Sequence, residues 1–256
     1  MIPLIQLRGM QNQIIHFAWK NIKIRYRGTN LGLVWMAFEP LLFWVFLYLV
    51  FTSINIGARE DFGIYLITGL VIYHNFVRGS QGGLMSLREN FGILSSMNVK
   101  REFFPVVATT TSSIVLMVEL VVFFGIMGIF QFVPAWTIIL LPIVLILLQI
   151  LILGISYLLS ITYAYFRDIQ PLWGIFVTAL MFVTPIFWYL EDAGGFALEI
   201  QKINPLGQLI ELTHQIVFGN VPSIQEWLYP SAMIFGILFA AFVIFKKFER
   251  HVVEKI

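Results

Sequence analysis

The stretch WTIILLPIVLILLQILILGISYLLSITY, from Trp136 to Tyr163, contains no charged residue. A run of about 20 apolar residues is enough for one helix to cross the ~30 Å hydrocarbon core of a bilayer. Lipid offers no hydrogen-bond partner to the backbone, so a segment that crosses it is expected to be helical. The stretch therefore predicts an integral membrane protein.

Five further apolar runs occur in the 256 residues, and the six together occupy most of the chain. The predicted spans are residues 33–54, 64–87, 104–131, 136–163, 171–190 and 228–245. Charged residues make up 12% of the chain, about half of the ~25% found in soluble domains. We predict one all-α transmembrane domain over residues 1–256, with six membrane-spanning helices.

The distribution of Lys and Arg predicts the orientation of these helices. With six spans and a cytoplasmic N-terminus, thirteen of the basic residues fall on the cytoplasmic side and only Arg59 and Lys202 outside. Such an excess follows the positive-inside rule. The predicted outer loops also carry seven acidic residues. We therefore expect a multi-pass protein of the cytoplasmic membrane with both termini in the cytoplasm.

Two segments are amphipathic and too polar to span. In the first, Leu4–Tyr26 within residues 1–30, one helical stripe is apolar and Lys20 and Lys23 lie mostly off it; the stripe consists of Ile14, Ile15, Ala18, Trp19, Ile22 and Tyr26. This favours a helix lying in the cytoplasmic interface, with a soluble helix packed on the domain as the alternative. The second, residues 191–227, contains NPLGQLIELTHQIVFG and predicts one or two short re-entrant helices in the outer leaflet before the last span.

Motifs for catalysis are missing from the sequence. There is no cysteine, and the phosphate-binding pattern GxxxxGK[ST] does not occur. The four histidines are scattered and form no metal-binding pattern. We therefore expect no enzymatic activity, no metal and no cofactor of the chain's own, and any energy must come from another subunit or an ion gradient.

Ionisable residues inside predicted spans are candidates for a functional role, because charge is costly in hydrocarbon. Glu39 precedes Pro40 in the first span and shares a helical face with Phe46. Either this face points into a pathway, or Glu39 lies near the interface and pairs with an Arg.

Arg78 forms a polar stripe with His74 and Gln81, which either contacts an anionic or hydroxyl-rich ligand or pairs internally. Glu119 is isolated in the third span, and we expect a structural role for it.

Aromatic residues, 16% of the chain, are dense on the first span. They occupy two faces: Trp35, Phe38 and Phe46 are candidates to line a pathway, whereas the face with Trp44 meets lipid or a neighbouring helix. Small residues at every fourth position allow helices to approach closely. Two such stripes are Ser156–Ser160–Ala164 and Ala232–Gly236–Ala240.

The sequence IKIRYRGTNLGLVWMAFEPLL (residues 22–42) resembles the start of ABC transporter permeases that export lipid-linked polysaccharides such as O-antigen, capsule or teichoic acid. Four further segments resemble the same family, in the same order. They are YLITGLVIYHNF (65–76), VKREFFPVV (99–107), YFRDIQPLW through TPIFW (165–188), and NPLGQLIELTHQIVFG (204–219). The charge at Arg78 departs from the family pattern, and no family role is carried onto it.

The resemblance implies a transport subunit that forms a homodimer with the export path between its two copies. It implies two copies of a separate cytoplasmic ATPase, which binds ATP and magnesium, and a polyprenyl-diphosphate-linked glycan as substrate. Nucleic acid is not expected among the partners.

The residues expected to couple to the ATPase are Ser95, Met97, Lys100, Arg101 and Glu102. The basic cluster Lys23, Arg25 and Arg27 suits the diphosphate, since guanidinium groups bind phosphate oxygens in pairs; anchoring to anionic lipid is the competing explanation.

Three other functions remain open at this point. An ABC exporter of drugs or lipids would share the ATPase but need no wide aromatic path. An ion-coupled carrier or channel would use Glu39, Arg78 or Glu119 as its ionisable relay. A membrane enzyme is disfavoured because no set of acids and bases converges in the sequence.

Overall fold

The computed structural model describes residues 2–54, 59–96, 99–192 and 194–249, and the side chains among them except those of residues 2–10, 196 and 197. These residues form helices and connecting turns, with no β-strand among them. The α-helices are α1 Ile2–Arg25, α2 Trp35–Ser53, α3 Phe62–Glu89, α4 Phe91–Ser96, α5 Phe103–Ile129, α6 Leu141–Tyr165, α7 Ile169–Val183, α8 Phe196–Ile203, α9 Pro205–Val217 and α10 Ile224–Phe248. Short 3₁₀ turns cover Gly32–Val34, Trp136–Leu140 and Leu190–Asp192. The all-helical prediction is confirmed for this part of the chain.

Four stretches in the described part of the chain are long and apolar enough to cross a membrane by length and composition. They are Gly32–Ser53, Phe103–Ile129, Trp136–Tyr165 and Ile224–Phe248. The predicted second and fifth spans do not meet these criteria. His74, Asn75 and Arg78 lower the hydropathy of the second, and the helix of the fifth is too short.

Helix α3 is the centre of the bundle. Its 28 residues span about 42 Å at ~1.5 Å per residue, and α5, α6 and α9 pack around it. Most of its side chains are buried, from Phe62 at its start to Leu87 near its end. The less buried residues include the predicted polar stripe of His74, Arg78 and Gln81. Because protein rather than lipid surrounds α3, this helix can be less apolar than its neighbours.

Helix α7 ends earlier than the predicted span of 171–190. The helix stops at Val183, because Pro185 disfavours the helical conformation of the residue before it and Thr184 turns to an extended ψ of 149°. The freed carbonyls are bonded locally. The Thr184 hydroxyl donates to Met181 O at 3.3 Å, and the Trp188 indole donates to Phe182 O at 3.1 Å.

The bundle has two ends of opposite charge. One, which we call the acidic end, joins the start of α3 to the segment after α7 and to α9: Arg59 pairs with Asp192 at 3.3 Å, and His214 bonds Tyr65 O. The other, which we call the basic end, joins the end of α3 to the ends of α6 and α10. There Arg88 donates to the Tyr163 hydroxyl at 2.7 Å, and Lys246 pairs with Glu102.

Helix α1 packs on α5 at the basic end. Its buried residues Ala18 and Ile22 follow the predicted stripe, and Phe17 meets Phe103 edge-on at 5.4 Å. Ile15 and Trp19, which we placed on the same stripe, are instead exposed at 47% and 40%. An exposed Trp beside basic residues is compatible with an interfacial helix, and the neighbouring half of the same stripe packs on the domain.

Helices α3 and α6 cross in very close contact, as the small residues of α6 predict. Ser156 and Ser160 are buried there, and a Cβ added to Gly83 would lie 2.1 Å from Ser156 Oγ and 2.8 Å from Ser156 Cα. The second small-residue stripe, on α10, is exposed within this chain.

We expect Gly83→Ala to lower the free energy of unfolding by about 1–3 kcal/mol, the usual cost of overpacking. The backbone of α6 must move to admit the methyl group, because Ser156 Cα itself is too close. Gly128→Ala is the matched control, since a Cβ at Gly128 meets nothing within 4 Å. Thermal unfolding in detergent compares the two variants, and equal midpoints would contradict the close crossing.

Candidate functional site

The basic end contains a polar cleft between α1, α3, α5 and α7. It consists of two adjoining cavities of about 440 and 570 Å³, and Arg25, Gly82 and Glu89 line both of them. We call it the Arg25 cleft. The first cavity is also lined by Lys20, Asn21, Arg78, Ser86, Asn90, Thr111 and Ser112, and the second by Gln81, Met85, Gln170 and Trp173.

The chemistry of the cleft suits an anion that also accepts hydrogen bonds. Lys20 and Arg25 are exposed at its rim and outweigh the single carboxylate that lines it, Glu89. Hydroxyl and amide groups from α3 and α5 supply further donors. Arg25 is placed here because it is the last residue of α1, which packs on α5.

Arg78 lies at the deep end of the cleft and is paired. Its Nη1 donates to Glu119 Oε1 at 2.7 Å, with the Arg78 side chain 11% exposed and the Glu119 side chain fully buried. Glu119 is isolated only within its own helix, because α5 brings it next to Arg78 across 41 positions of sequence, and this pairing agrees with the structural role expected for it. The internal pairing that we left open for Arg78 is therefore present, while the same side chain still lines the cavity.

Tyr26 lies close to this pair. It is buried with Ile22, Met36 and Val115, and its hydroxyl has no hydrogen-bond partner among the described residues. Burial raises the pKa of Tyr26, whereas the positive charge of Arg78 lowers it. The pair and the hydroxyl thus make a small polar centre beneath the connection from α1 to α2.

The predicted basic cluster divides in the structure. Arg25 lines the cleft, whereas Lys23 and Arg27 are exposed and line neither of its cavities. After α1, the chain turns at Gly28 and Gly32, both with positive φ (80° and 53°), before it enters α2. These glycines permit the reversal that sets Arg25 at the cleft.

The aromatic faces of α2 are also separated. Trp44 packs inward and donates its indole N–H to Gly63 O at 2.9 Å, which settles that this face meets neighbouring helices. Phe38 and Phe46 are exposed at 41% and 64%, and Glu39 lies exposed beside Phe38. Trp35 is half-buried against the cluster around Tyr26. Three of the candidate path residues, Phe38, Glu39 and Phe46, therefore lie on the exposed side of α2, which we call its open side, whereas Trp35 does not.

His74 connects that open side to α3. Its ring meets Phe43 of α2 edge-on, with centroids 5.0 Å apart. Its neighbour one turn along α3 is Arg78, so His74, Arg78 and the Arg25 cleft follow one another along the partly open side of α3 towards the basic end.

The predicted coupling residues lie at the basic end around α4. Ser95 and Lys100 are exposed, and Arg101 is half-buried. Glu102 is fixed by an ion pair to Lys246, which also bonds Glu249 at 3.2 Å. Met97 lies outside the described residues.

A buried polar network was not predicted from the sequence. Asn75 donates to Ser112 O at 2.8 Å and accepts from Gln149 at 2.8 Å, so it joins α3, α5 and α6 beside the cleft. The three residues lie on three different helices, and only the packing of these helices brings them together.

Comparison with known proteins gives one family and several relatives. Residues 12–218 match the family described as ABC-2 type transporter. Over 260 aligned residues the chain is 26% identical to the O-antigen export system permease protein RfbA of Myxococcus xanthus, covering 99% of this chain and 97% of that protein. It is also 24% and 23% identical to two proteins of the same name from Klebsiella pneumoniae, over 78% and 79% of this chain and 78% of each relative.

Proposed function

The chain belongs to the ABC-2 type transporter family, and we propose that it is the membrane subunit of an ABC exporter that carries O-antigen-type polysaccharide across the cytoplasmic membrane. The family match bears out the resemblance to ABC permeases, and it makes the chain a multi-pass membrane transport subunit. The observation that carries the substrate class is the similarity, over nearly the full length of both chains, to a permease named for O-antigen export.

For the arrangement in the membrane we propose six spans with the basic end in the cytoplasm. The charge asymmetry supports this orientation. The packing supports counting α3 as a span, because surrounding helices shield its polar residues from lipid. Helix α7 completes a crossing together with the turn after it, in which Ile186 and Phe187 are buried.

For the assembly we propose a homodimer with two cytoplasmic ATPase subunits, which bind ATP and magnesium. The missing phosphate-binding motif supports a separate motor, and α4 with Ser95, Lys100 and Arg101 offers an exposed docking surface at the basic end. The open side of α2 supports a path between the copies. A carboxylate such as Glu39 is costly against lipid, so this side fits water or a second subunit better.

For the substrate we propose a glycan on a polyprenyl diphosphate, with the diphosphate bound at the Arg25 cleft. Lys20 and Arg25 supply positive charge, and the surrounding hydroxyls and amides supply donors for phosphate oxygens. Lys23 and Arg27 lie near enough along the chain to draw the anion in, although they do not line the cavities. The sugar chain would then follow His74, Phe38 and Phe46 along the partly open side.

The deciding experiment deletes the gene and measures surface glycan by gel and lectin staining, with lipid-linked glycan extracted from the same cells. We expect surface glycan to disappear and lipid-linked polymer to accumulate inside. Restoring the intact chain must reverse both changes. Normal surface glycan in the deletion strain would refute the proposal.

A further inference from the structure

The acidic end contains a second polar groove, distinct from the Arg25 cleft. Two adjoining cavities of about 740 and 210 Å³ lie along α9 and share Leu190, Glu211 and Gln215 as lining residues. The larger falls in the range of ~300–1,000 Å³ usual for small-molecule sites. We call the two together the α9 groove.

Unpaired polar atoms are concentrated around this groove. Four buried side-chain atoms of lining residues lack a hydrogen-bond partner among the described residues: the Tyr189 hydroxyl, both amide atoms of Gln201 and His214 Nδ1. Gln201 is 5% exposed, and neither its Nε2 nor its Oε1 is bonded. An unsatisfied buried polar group costs about 1–3 kcal/mol, so such a concentration points to a ligand that completes the bonding.

The unpaired atoms include both donors and acceptors. His214 Nε2 must donate to Tyr65 O, at 2.9 Å, because a carbonyl can only accept. Burial lowers the pKa of His214 to about 3, so its ring is neutral and Nδ1 is an acceptor. The Tyr189 hydroxyl and the Gln201 amide can donate. A ligand with many hydroxyl groups, each able to donate and accept, matches this mixture.

The lining excludes other classes of ligand. Glu211 and Glu226 outnumber Lys202 in the larger cavity and disfavour an anion. A lipid chain would leave the amides unpaired, and no group of three metal-binding side chains occurs in the described part of the chain. Glu211 receives only a long 3.5 Å bond from Gln215, and burial raises its pKa, so its carboxyl group keeps capacity for a ligand hydroxyl. Tyr229, 53% exposed, offers a ring to the apolar face of a sugar.

We propose that the α9 groove binds sugar units of the glycan on the outer side of the membrane, as the polymer leaves the path. The identity of the polymer rests on the proposed function, whereas the preference for a hydroxyl-rich ligand rests on the groove alone. The site places Gln201 and Glu211 as hydrogen-bonding groups and Tyr229 as the stacking surface.

The test uses the full-length chain in lipid nanodiscs and, as probe, lipid-free glycan released from the cell surface by mild acid. Hydrogen–deuterium exchange of residues 198–215 is followed during titration with the glycan. We expect saturable protection, and about fivefold weaker binding in Gln201→Leu, the effect of losing one or two net hydrogen bonds. Gln13→Leu, the same change at an exposed position of α1, should bind as the parent chain does.

Thermal unfolding separates a ligand role from a structural one. Leu in place of an unsatisfied buried amide should leave the midpoint unchanged or raise it. If Gln201→Leu does not fold, Tyr229→Ala serves instead, since its ring is largely exposed, and the same weakening is expected. Absence of protection, protection by nanodisc lipid alone, or equal binding by the groove variants would overturn the inference.

The deletion experiment distinguishes the two proposals. If deletion removes surface glycan but the free glycan gives no protection at residues 198–215, only the groove inference fails. If deletion leaves surface glycan unchanged, the proposed function fails, while saturable protection would still establish a saccharide site.

Discussion

Replacing Arg78 by Met should destabilise the protein by about 3–5 kcal/mol, the usual cost of removing one partner from a buried ion pair. The Glu119 side chain is fully buried and receives its 2.7 Å bond from Arg78. Without the guanidinium, Glu119 must either remain charged in a medium of low dielectric constant or take up a proton. The unfolding midpoint in detergent and the yield of monodisperse protein measure the effect.

The double variant Arg78→Met with Glu119→Met separates stability from function. A pair replaced on both sides by apolar groups of similar volume is often neutral or stabilising, so the double variant should recover most of the unfolding midpoint. Because Arg78 also lines the cleft, we expect glycan export to remain impaired in the double variant. A double variant as unstable as the single one would show that the pair is not what Arg78 contributes to the fold.

Arg25→Ala should reduce glycan export about tenfold or more, whereas Arg27→Ala should reduce it far less. Both residues belong to the same basic cluster of the sequence, but only Arg25 lines the cleft. Hydrogen bonds to charged groups contribute about 1.5–3 kcal/mol each, which corresponds to at least a tenfold change in affinity. Export is measured as surface glycan per copy of permease in the membrane.

Arg27→Ala is the matched control. It removes a guanidinium group from an exposed position only two residues after Arg25. Insertion and stability should be normal in both variants, because neither guanidinium is buried. Equal defects in the two would favour the alternative that the cluster anchors the chain to anionic lipid. Equal and full export would contradict a diphosphate site at the cleft.

The sequence predicts the helices much better than their partners. The apolar runs correspond to α2, α3, α5, α6 and α10 with small shifts at the ends, because a bilayer imposes a length and a composition that can be recognised. The helix of the predicted fifth span ends early, at Thr184–Pro185, where the local conformation before a proline outweighs hydropathy. Ile15 and Trp19 belong to the apolar stripe of α1 and yet are exposed. The helical wheel shows that the stripe is apolar, but it does not show which half of the stripe packs against protein.

In the candidate sites, too, features of a single helix could be predicted and contacts between helices could not. The polar stripe of His74, Arg78 and Gln81 could be predicted, since spacing on one helix defines it. Its partner Glu119 could not, because that contact depends on how α3 and α5 are rotated about their axes. The α9 groove was missed altogether: Gln201 and Tyr189 are unremarkable in sequence, and only the absence of bonds to their buried atoms distinguishes them.

The early end of α7 has a consequence for the surrounding lipid. Its 15 helical residues extend about 22 Å at ~1.5 Å per residue, less than the ~30 Å hydrocarbon thickness. In the six-span arrangement proposed above, part of that hydrophobic mismatch falls on the bilayer, which thins beside α7 at a modest cost for each ångström. Lipids with shorter acyl chains should therefore gather along this helix, and the protein should favour thinner regions of membrane.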